Sequence, residues 1–153
     1  MGSLLRLVGW IGLSFVPALV GAPFPAPDWY RRLNKPSWAP PAWIFGPVWT
    51  LLYLLMGVAA WLVASSGRPS RGAALRVFRV QLALNAVWTP IFFGLRRPDL
   101  ALVEIVVTWF AILATVIAFR RTRVAATILL LPYLAWVSFA CALNWSIWRR
   151  NRG

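Results

Sequence analysis

Apolar residues dominate five long stretches of the chain, and polar residues are concentrated in the segments between them. The stretches cover about residues 4–21, 43–64, 73–93, 99–119 and 124–148. Each is close to the roughly 20 residues that an α-helix needs to cross a bilayer. Backbone groups in lipid must be hydrogen-bonded within the chain, so such stretches predict helices. The pattern therefore predicts an all-α membrane protein, a single domain built as a bundle of five transmembrane helices.

The segment between the first two spans, residues 22–42, differs from the other connections. Its six prolines are Pro23, Pro25, Pro27, Pro36, Pro40 and Pro41. They predict that the segment contains no regular helix. Because long loops in compact domains are often functional, we expect loop 22–42 to be more than a connector. The alternative is a linker that aromatic side chains anchor to the membrane surface.

Composition supports a membrane setting. Hydrophobic residues make up 61% of the chain and charged residues 12%, whereas a soluble domain has about 25% charged residues. So little charge cannot cover a surface in water. The expected partner of this surface is the lipid bilayer, and the protein is expected to be integral to a membrane.

The charge is strongly positive, at +13 from 16 basic and 3 acidic residues. The basic residues form short clusters between the apolar stretches, which is typical of loops at an anionic membrane surface. No basic stripe lies on a soluble element, so no nucleic acid is expected as a partner. Eight Lys and Arg residues fall on each side of the predicted bundle, and the positive-inside rule therefore predicts no orientation.

Residues that carry metal, haem and hydrolytic chemistry are scarce. The chain has no histidine and one cysteine, Cys141, so the commonest ligand of metals and of haem iron is missing. No metal site and no obligatory cofactor are expected. Glu104 is the only acid inside a predicted span. Because it lies near the start of its helix, it is interpreted as an interfacial, arginine-paired residue rather than a proton relay.

Tryptophan is the most unusual part of the composition, with 11 residues. Aromatic belts form where helices leave the membrane, and six tryptophans lie near predicted helix ends: Trp10, Trp29, Trp38, Trp43, Trp145 and Trp148. Four others lie deeper, namely Trp49, Trp88, Trp109 and Trp136. A belt does not explain these four, whereas ligand binding or helix packing does.

Helical spacing places deep aromatic residues on the same faces as amides. Residues three, four or seven positions apart share a helix face, which predicts three inward faces: Trp49 with Tyr53; Gln81, Asn85 and Trp88; and Tyr133, Trp136 or Val137, Ala140 and Asn144. Asn and Gln are costly in lipid and point into a bundle. The three faces therefore predict the wall of a cavity. The alternative is a set of interhelical hydrogen bonds that only holds the helices together.

Three long motifs carry a resemblance to a known family. Leu33–Gly57 is LNKPSWAPPAWIFGPVWTLLYLLMG, Gln81–Gly94 is QLALNAVWTPIFFG, and Leu131–Trp148 is LPYLAWVSFACALNWSIW. In this order and spacing they resemble the tryptophan-rich sensory protein and translocator protein family, also called the peripheral benzodiazepine receptor family. The resemblance covers essentially the whole chain.

The resemblance implies a five-helix bundle, often a homodimer, that binds tetrapyrroles such as protoporphyrin IX and, in some members, sterols. By motif position, the implied ligand-binding residues in the bundle are Trp49, Tyr53, Asn85, Trp88, Trp136 and Ala140. The first loop would cap the pocket with Tyr30, Trp38 and Pro41. Members of the family have been linked to porphyrin transport, to signalling and to light-driven porphyrin breakdown.

These observations lead to one expected function and two alternatives. We expect a membrane receptor or sensor for porphyrins, in which the macrocycle stacks on Trp49 and Trp136. The first alternative is an enzyme that degrades the porphyrin under light, with the same two tryptophans as catalytic candidates. The second is a tetrapyrrole or sterol transporter, although the sequence shows no internal repeat and no charged midplane site of the kind that secondary transporters use.

Further expectations concern partners and location. Small residues allow close helix contacts in lipid, so a homodimer is expected to form through the third span, at Ala73, Ala74, Ala83 and Ala86. Sterol binding is less expected than porphyrin binding, because Trp145 stands where the family's sterol motif has a tyrosine. The membrane would be the bacterial cell membrane, or the mitochondrial outer membrane in a eukaryote.

Overall fold

The computed structural model describes residues 1–24 and 27–153, and for Pro27 the backbone only. Pro25 and Ala26 of loop 22–42 lie outside the described residues. In the described part of the chain all regular structure is helical, and the α-helices are α1 (Gly2–Ser14), α2 (Val16–Gly21), α3 (Pro27–Arg32), α4 (Phe45–Ala64), α5 (Arg71–Thr89), α6 (Pro98–Thr122) and α7 (Val124–Arg150).

Among the residues that the structure describes, five helices are long and apolar enough to cross a membrane. They cover Gly2–Gly21, Ala42–Ala64, Arg71–Gly94, Pro98–Thr122 and Val124–Arg150. The first consists of α1 and α2, the second begins with a 3₁₀ turn at Ala42–Ile44, and the third ends with a π-helical turn at Pro90–Gly94. The predicted all-α membrane fold with five transmembrane helices is confirmed.

The five helices pack side by side in a closed ring. Around the ring, the first span is followed by α4, α7, α6 and α5, and α5 packs back against α2. Only Arg123 separates α6 from α7, so these two helices run antiparallel. Because successive spans cross the bundle in opposite directions, loop 22–42 lies at the end of the bundle where α4 and α6 begin and α7 ends.

The half of the bundle remote from loop 22–42, which we call the closed half, is tightly packed. Its core consists of fully buried side chains, namely Met56, Ala59, Ala60, Val63, Phe78 and Phe119. Small residues let helices come close together in a membrane protein. At Gly57, an added Cβ atom would lie 2.5 Å from the Cα atom of Ile11. The approach of α1 to α4 therefore requires glycine at this position.

The alanines of α5 divide between its inner and outer faces. Ala74 is 2% exposed and belongs to the core of the protomer, so the expectation that it lies on a dimer face is wrong. The expectation rests on the small size of the residue, and size alone does not show which alanines of a helix face the core of their own protomer. Ala73 and Ala83 are exposed on the outer face, and Ala86 is half-buried.

Loop 22–42 contains a short helix, although its prolines predict none. The helix α3 covers Pro27–Arg32. The prediction was wrong because Pro27 stands at the first helical position, where proline is tolerated, and the next proline is Pro36. At the far side of the loop, the Asn151 side chain accepts a hydrogen bond from the Asn34 N–H and donates one to its carbonyl, both at 3.0 Å. These bonds fasten the loop to the end of α7.

Candidate functional site

A cavity of about 500 Å³ lies between the helices at the end of the bundle that carries loop 22–42. Its wall is formed by the end of α2, the start of α4, the end of α5 with the π-helical turn, the start of α6 and the second half of α7. Its volume and its mainly apolar wall match those of small-molecule pockets, which measure roughly 300–1,000 Å³. We call this part of the bundle the open half.

Seven of the nine expected binding residues lie on the cavity wall, namely Tyr30, Trp49, Tyr53, Asn85, Trp88, Trp136 and Ala140. The other two, Trp38 and Pro41, do not line the cavity. The Trp38 ring instead packs edge-on against Phe139, with ring centroids 5.7 Å apart. Pro41 is exposed immediately before the 3₁₀ turn. Of the three loop residues, Tyr30 is thus the one that contributes to the wall.

The tryptophans of the wall are each held by another ring. Trp49 packs against Tyr53 with ring centroids 5.4 Å apart and an angle of 32° between the planes. Trp88 stacks on Phe92 at 4.7 Å and 19°. The Trp136 ring meets the Phe45 ring of α4 edge-on, with ring centroids 6.0 Å apart. Offset and edge-on contacts are the favoured geometries of aromatic pairs, so the three indoles are fixed before any ligand arrives.

A layer of buried hydrogen bonds forms the inner end of the cavity. The Tyr53 hydroxyl donates to Asn85 Oδ1 at 3.2 Å, and Asn85 Nδ2 donates to the Tyr133 hydroxyl at 2.6 Å. The Tyr133 hydroxyl in turn donates to Gln81 Oε1 at 2.8 Å. The layer joins α4, α5 and α7. Gln81 and Tyr133 do not line the cavity, so for them the interpretation as interhelical hydrogen bonding holds, whereas Asn85 belongs to both the layer and the wall.

A second set of hydrogen bonds fixes the Trp88 ring. Its Nε1 donates to Asn144 Oδ1 at 3.1 Å, and Asn144 Nδ2 donates to the carbonyl of Pro98 at 2.9 Å. These bonds connect α5, α7 and the first residue of α6. Both Trp88 and Asn144 line the cavity, and their polar groups already have protein partners.

The structure corrects the interpretation of Glu104. The residue is 9% exposed and lines the cavity, so it is not interfacial. Thr108 donates a hydrogen bond to its Oε1 at 2.7 Å, and none of the ion pairs among the described residues involves it. A signal was present in the sequence, because Glu104, Thr108, Thr115 and Thr122 are spaced four, seven and seven positions apart. That spacing marks a polar inner face of α6.

Two further parts of the wall are not among the residues expected from the sequence. The π-helical turn brings Phe92 and Phe93 to the cavity, and the end of the first span contributes Pro17 and Ala18. Phe92 is seven positions after Asn85 and four after Trp88, so regular helical spacing was a signal that could have identified it. Phe93 lies inside the π-helical turn, where the regular repeat is interrupted. Pro17 and Ala18 of α2 are small and apolar, and such residues give no pattern that separates a cavity wall from ordinary packing.

The Tyr30 side chain is the polar group that loop 22–42 presents to the cavity. Its hydroxyl is buried and has no hydrogen-bond partner among the described residues. Burial raises the pKa of Tyr30 above its ordinary value, so the hydroxyl remains protonated at neutral pH and can donate. The ammonium of Lys35 lies 4.7 Å from the centroid of the Tyr30 ring and donates to the Tyr30 carbonyl at 2.7 Å. These contacts fix the ring in place.

The wall offers stacking, apolar contact and a few hydrogen bonds. In the part of the chain that the structure describes, no group of three or more His, Cys, Asp or Glu side chains comes together. The amide of Asn85 and the indole N–H of Trp88 are occupied, whereas Tyr30 Oη and Glu104 Oε2 have no hydrogen-bond partner within residues 1–24 and 27–153. The arrangement suits a flat apolar molecule with a small number of polar groups.

Comparison with known proteins agrees with this picture. A family model described as the TspO/MBR family matches residues 4–149. The chain belongs to this family. It is 42% identical to the tryptophan-rich protein TspO of Chlorobaculum tepidum, covering 97% of this chain and 98% of that protein. It is 43% identical to the tryptophan-rich sensory protein of Cereibacter sphaeroides, covering 88% and 84%.

The family also includes animal proteins. The human translocator protein is 41% identical to this chain, and the match covers 94% of this chain and 90% of the human protein. With five spanning helices and relatives named as sensory and translocator proteins, the chain is an integral membrane protein of a sensor and translocator family.

Proposed function

We propose that this protein is a membrane receptor that binds porphyrins of the protoporphyrin IX type in the open half of the bundle. The observation that carries the proposal is the cavity of about 500 Å³ with three fixed tryptophans in its wall. A porphyrin is flat and aromatic, so it can stack on indole rings over both of its faces. Family membership supports the same ligand class, because the family resemblance implies tetrapyrrole binding.

Affinity would come mainly from apolar contact. Burial of apolar surface contributes about 25 cal/mol per Å², from which the cost of ordering the ligand must be subtracted. Each well-placed stacking contact adds about 0.5–1.5 kcal/mol. The fixed rings reduce the ordering cost on the protein side. The porphyrin is a bound ligand in this proposal, not a cofactor.

The test uses two substitutions on the same helix. Ala140 lines the cavity, whereas Ala135 is exposed on the outside of α7. Protoporphyrin IX is titrated into each purified variant in detergent, and tryptophan quenching and the Soret band are recorded. We expect Ala140→Leu to weaken binding by about 10- to 100-fold, because the added methyl groups overfill the cavity, and Ala135→Leu to bind like the parent. Equal affinity of all three proteins would show that the cavity is not the site.

Light-driven porphyrin degradation is the second candidate function. It is favoured by the position of Trp49 and Trp136, both on the cavity wall, where an indole can be oxidised by an excited porphyrin. The same titration, repeated in darkness and in light, distinguishes the two functions. A stable Soret band in both conditions supports a receptor, and its loss in light alone supports an enzyme. Flux of the porphyrin across liposomes would be the sign of a transporter.

The proposed partners are the bilayer, the porphyrin and a second copy of the chain. The exposed alanines of α5, Ala73 and Ala83, offer the face for a homodimer. Replacing Ala83 and Ala86 together by leucine should shift the detergent-corrected mass toward the monomer. Sterol remains a weaker candidate, because Trp145 stands where the family's sterol motif has a tyrosine and therefore lacks its hydroxyl. The membrane would be a bacterial cell membrane, or the mitochondrial outer membrane in a eukaryote.

A further inference from the structure

Few buried polar atoms in the described part of the chain have no hydrogen-bond partner. They are Tyr30 Oη, Trp61 Nε1, Glu104 Oε2 and Thr127 Oγ1. A buried polar group without a partner costs free energy, so each position calls for an explanation. Two of the four side chains, Tyr30 and Glu104, line the cavity. A ligand in the cavity is the natural partner for these two.

Glu104 is the more informative of the two. Its Oε1 accepts a hydrogen bond from Thr108 one turn further along α6, which fixes the carboxyl group. Its Oε2 has no hydrogen-bond partner in the described part of the chain, although the residue is only 9% exposed. A buried carboxyl group is normally paired or hydrogen-bonded at both oxygens. Here one oxygen is held by the protein and the other is left for a molecule in the cavity.

On the basis of the proposed function, we infer that Glu104 selects tetrapyrroles with a metal-free core. The centre of a free-base porphyrin carries two N–H groups and two nitrogens with lone pairs. A carboxyl oxygen above the ring can therefore accept from an N–H if it is ionised, or donate to a nitrogen if it is protonated. A porphyrin with a metal in its centre offers neither partner, so Glu104 Oε2 would stay unpaired.

The same carboxyl group sets the orientation of the ligand. Propionate groups at the edge of a porphyrin are anionic, and an ionised Glu104 would repel them. They would point away from Glu104 and toward the loop end of the cavity, where Tyr30 can donate a hydrogen bond. The ammonium group of Lys35 lies 4.7 Å from the centroid of the Tyr30 ring and adds a positive charge there.

The test compares two porphyrins that differ only in their centre. Protoporphyrin IX has a metal-free core. Its palladium(II) complex has the same periphery, but it has no N–H and its square-planar metal does not take a carboxylate ligand. We expect the parent protein to bind the metal-free porphyrin about tenfold more tightly, which is the effect of one hydrogen bond to a carboxyl group. Equal affinity of the parent for the two porphyrins would overturn the inference without touching the proposed function.

Two variants at Glu104 and one control identify the residue responsible. Glu104→Leu should lose the preference by binding protoporphyrin IX more weakly while its affinity for the palladium complex stays the same. Glu104→Gln should keep part of the preference, because an amide also pairs with the core. Asp99→Asn removes a carboxyl group from the same helix outside the cavity, where it pairs with Arg97, and should behave like the parent.

The outcomes separate the two proposals. If Glu104→Leu binds both porphyrins more weakly by the same factor, Glu104 only shapes the cavity and the inference fails. If the parent binds neither porphyrin, the proposed function itself fails and the inference falls with it. Helical circular dichroism and gel filtration in detergent report whether each variant is folded. Should Glu104→Leu not fold, the preference of the parent and of Glu104→Gln still decides the question.

Discussion

The closed half and the open half are built from the same five helices, yet the closed half has a fully packed core and the open half contains a cavity. In the closed half, Ala59 and Ala60 belong to the same core as Met56, Phe78 and Phe119, and all of these side chains are fully buried. In the open half, the helices carry large rings that rest on one another and on hydrogen bonds. Because these contacts hold the rings in place, the rings do not fill the space between the helices, and the cavity remains. Packing density in this bundle is set by the mixture of residue sizes, not by the helix arrangement.

The boundary between the two halves is the hydrogen-bonded layer of Tyr53, Gln81, Asn85 and Tyr133. These bonds need definite distances between α4, α5 and α7. On the closed side of the layer the core contains small buried residues such as Ala59 and Ala60, and on the loop side the cavity wall contains three tryptophans. The layer separates these two kinds of packing on the same helices. The comparison thus predicts that changes in the closed half affect stability, that changes in the open half affect binding, and that changes in the layer affect both.

The largest expected effect is on stability, from Phe78→Ala in the closed half. Phe78 is 0% exposed and stacks on Phe119 at 5.8 Å, so its removal leaves a cavity and should cost about 3–5 kcal/mol of unfolding free energy. Unfolding in detergent mixtures measures the cost. Phe110→Ala is the control, because Phe110 is 61% exposed on α6 and should have little effect. The folded fraction of Phe78→Ala should bind protoporphyrin IX like the parent, and a large loss of affinity would contradict the separation of the halves.

The next effect is that of Tyr133→Phe in the layer. The substitution removes a hydroxyl that both donates and accepts, leaving Asn85 Nδ2 and Gln81 Oε1 without this partner. We expect a loss of about 1–2 kcal/mol of unfolding free energy, the scale of interhelical hydrogen bonds in membranes. Porphyrin affinity should also fall, because Asn85 is then held in the wall only by its hydrogen bond from Tyr53. Tyr53→Phe removes one bond and should do less. If Tyr133→Phe changes stability but not affinity, the layer does not shape the cavity.

The fold could be predicted from the sequence because its signals are local. A run of about 20 apolar residues identifies a spanning helix without knowledge of its neighbours. The helical period likewise put Trp49 with Tyr53, and Asn85 with Trp88, and the structure places all four on the cavity wall. These inferences need only the length of the run and the geometry of a single helix.

The remaining features of the site depend on how helices are rotated against each other. An acid near a helix start looks the same whether it faces the interface or the interior, so Glu104 was misplaced. Phe93 lies inside the π-helical turn at Pro90–Gly94, where the regular helical repeat is interrupted, so spacing does not place it on the wall. Trp38 is one residue of an irregular loop, where no period applies. The partners of Asn85 lie on other helices, and a sequence does not show that its amide is already occupied.

A smaller effect is expected from Trp136→Phe in the open half. Phenylalanine keeps a ring at this position but loses part of the stacking surface, so affinity for protoporphyrin IX should fall by about threefold to tenfold. Stability should hardly change. If light bleaches the bound porphyrin, the bleaching should be slower in this variant, because phenylalanine is much harder to oxidise than indole. Trp109→Phe is the control, since Trp109 does not line the cavity, and equal bleaching in both variants would remove Trp136 as a catalytic candidate.

The smallest effect concerns the loop over the open half. Asn151 holds the loop through the backbone N–H and carbonyl of Asn34, so Asn151→Ala should let the loop open more often. Local opening of this kind costs little in global stability. We therefore expect porphyrin dissociation to become about two- to fivefold faster, with unchanged unfolding free energy, in stopped-flow displacement of the ligand. Faster hydrogen exchange at the Asn34 amide should accompany it.

A matched control exists because Asn34 uses only its backbone in these bonds. Asn34→Ala keeps the N–H and the carbonyl, so the loop should stay fastened and the ligand should leave at the parental rate. The Asn151 amide also donates to the carbonyl of Ile147 in the last turn of α7, and fraying of that turn would appear as exchange confined to the end of α7. If Asn151→Ala and Asn34→Ala release the porphyrin at the same rate, the hydrogen bonds do not control access, and the loop is a linker that merely passes the cavity.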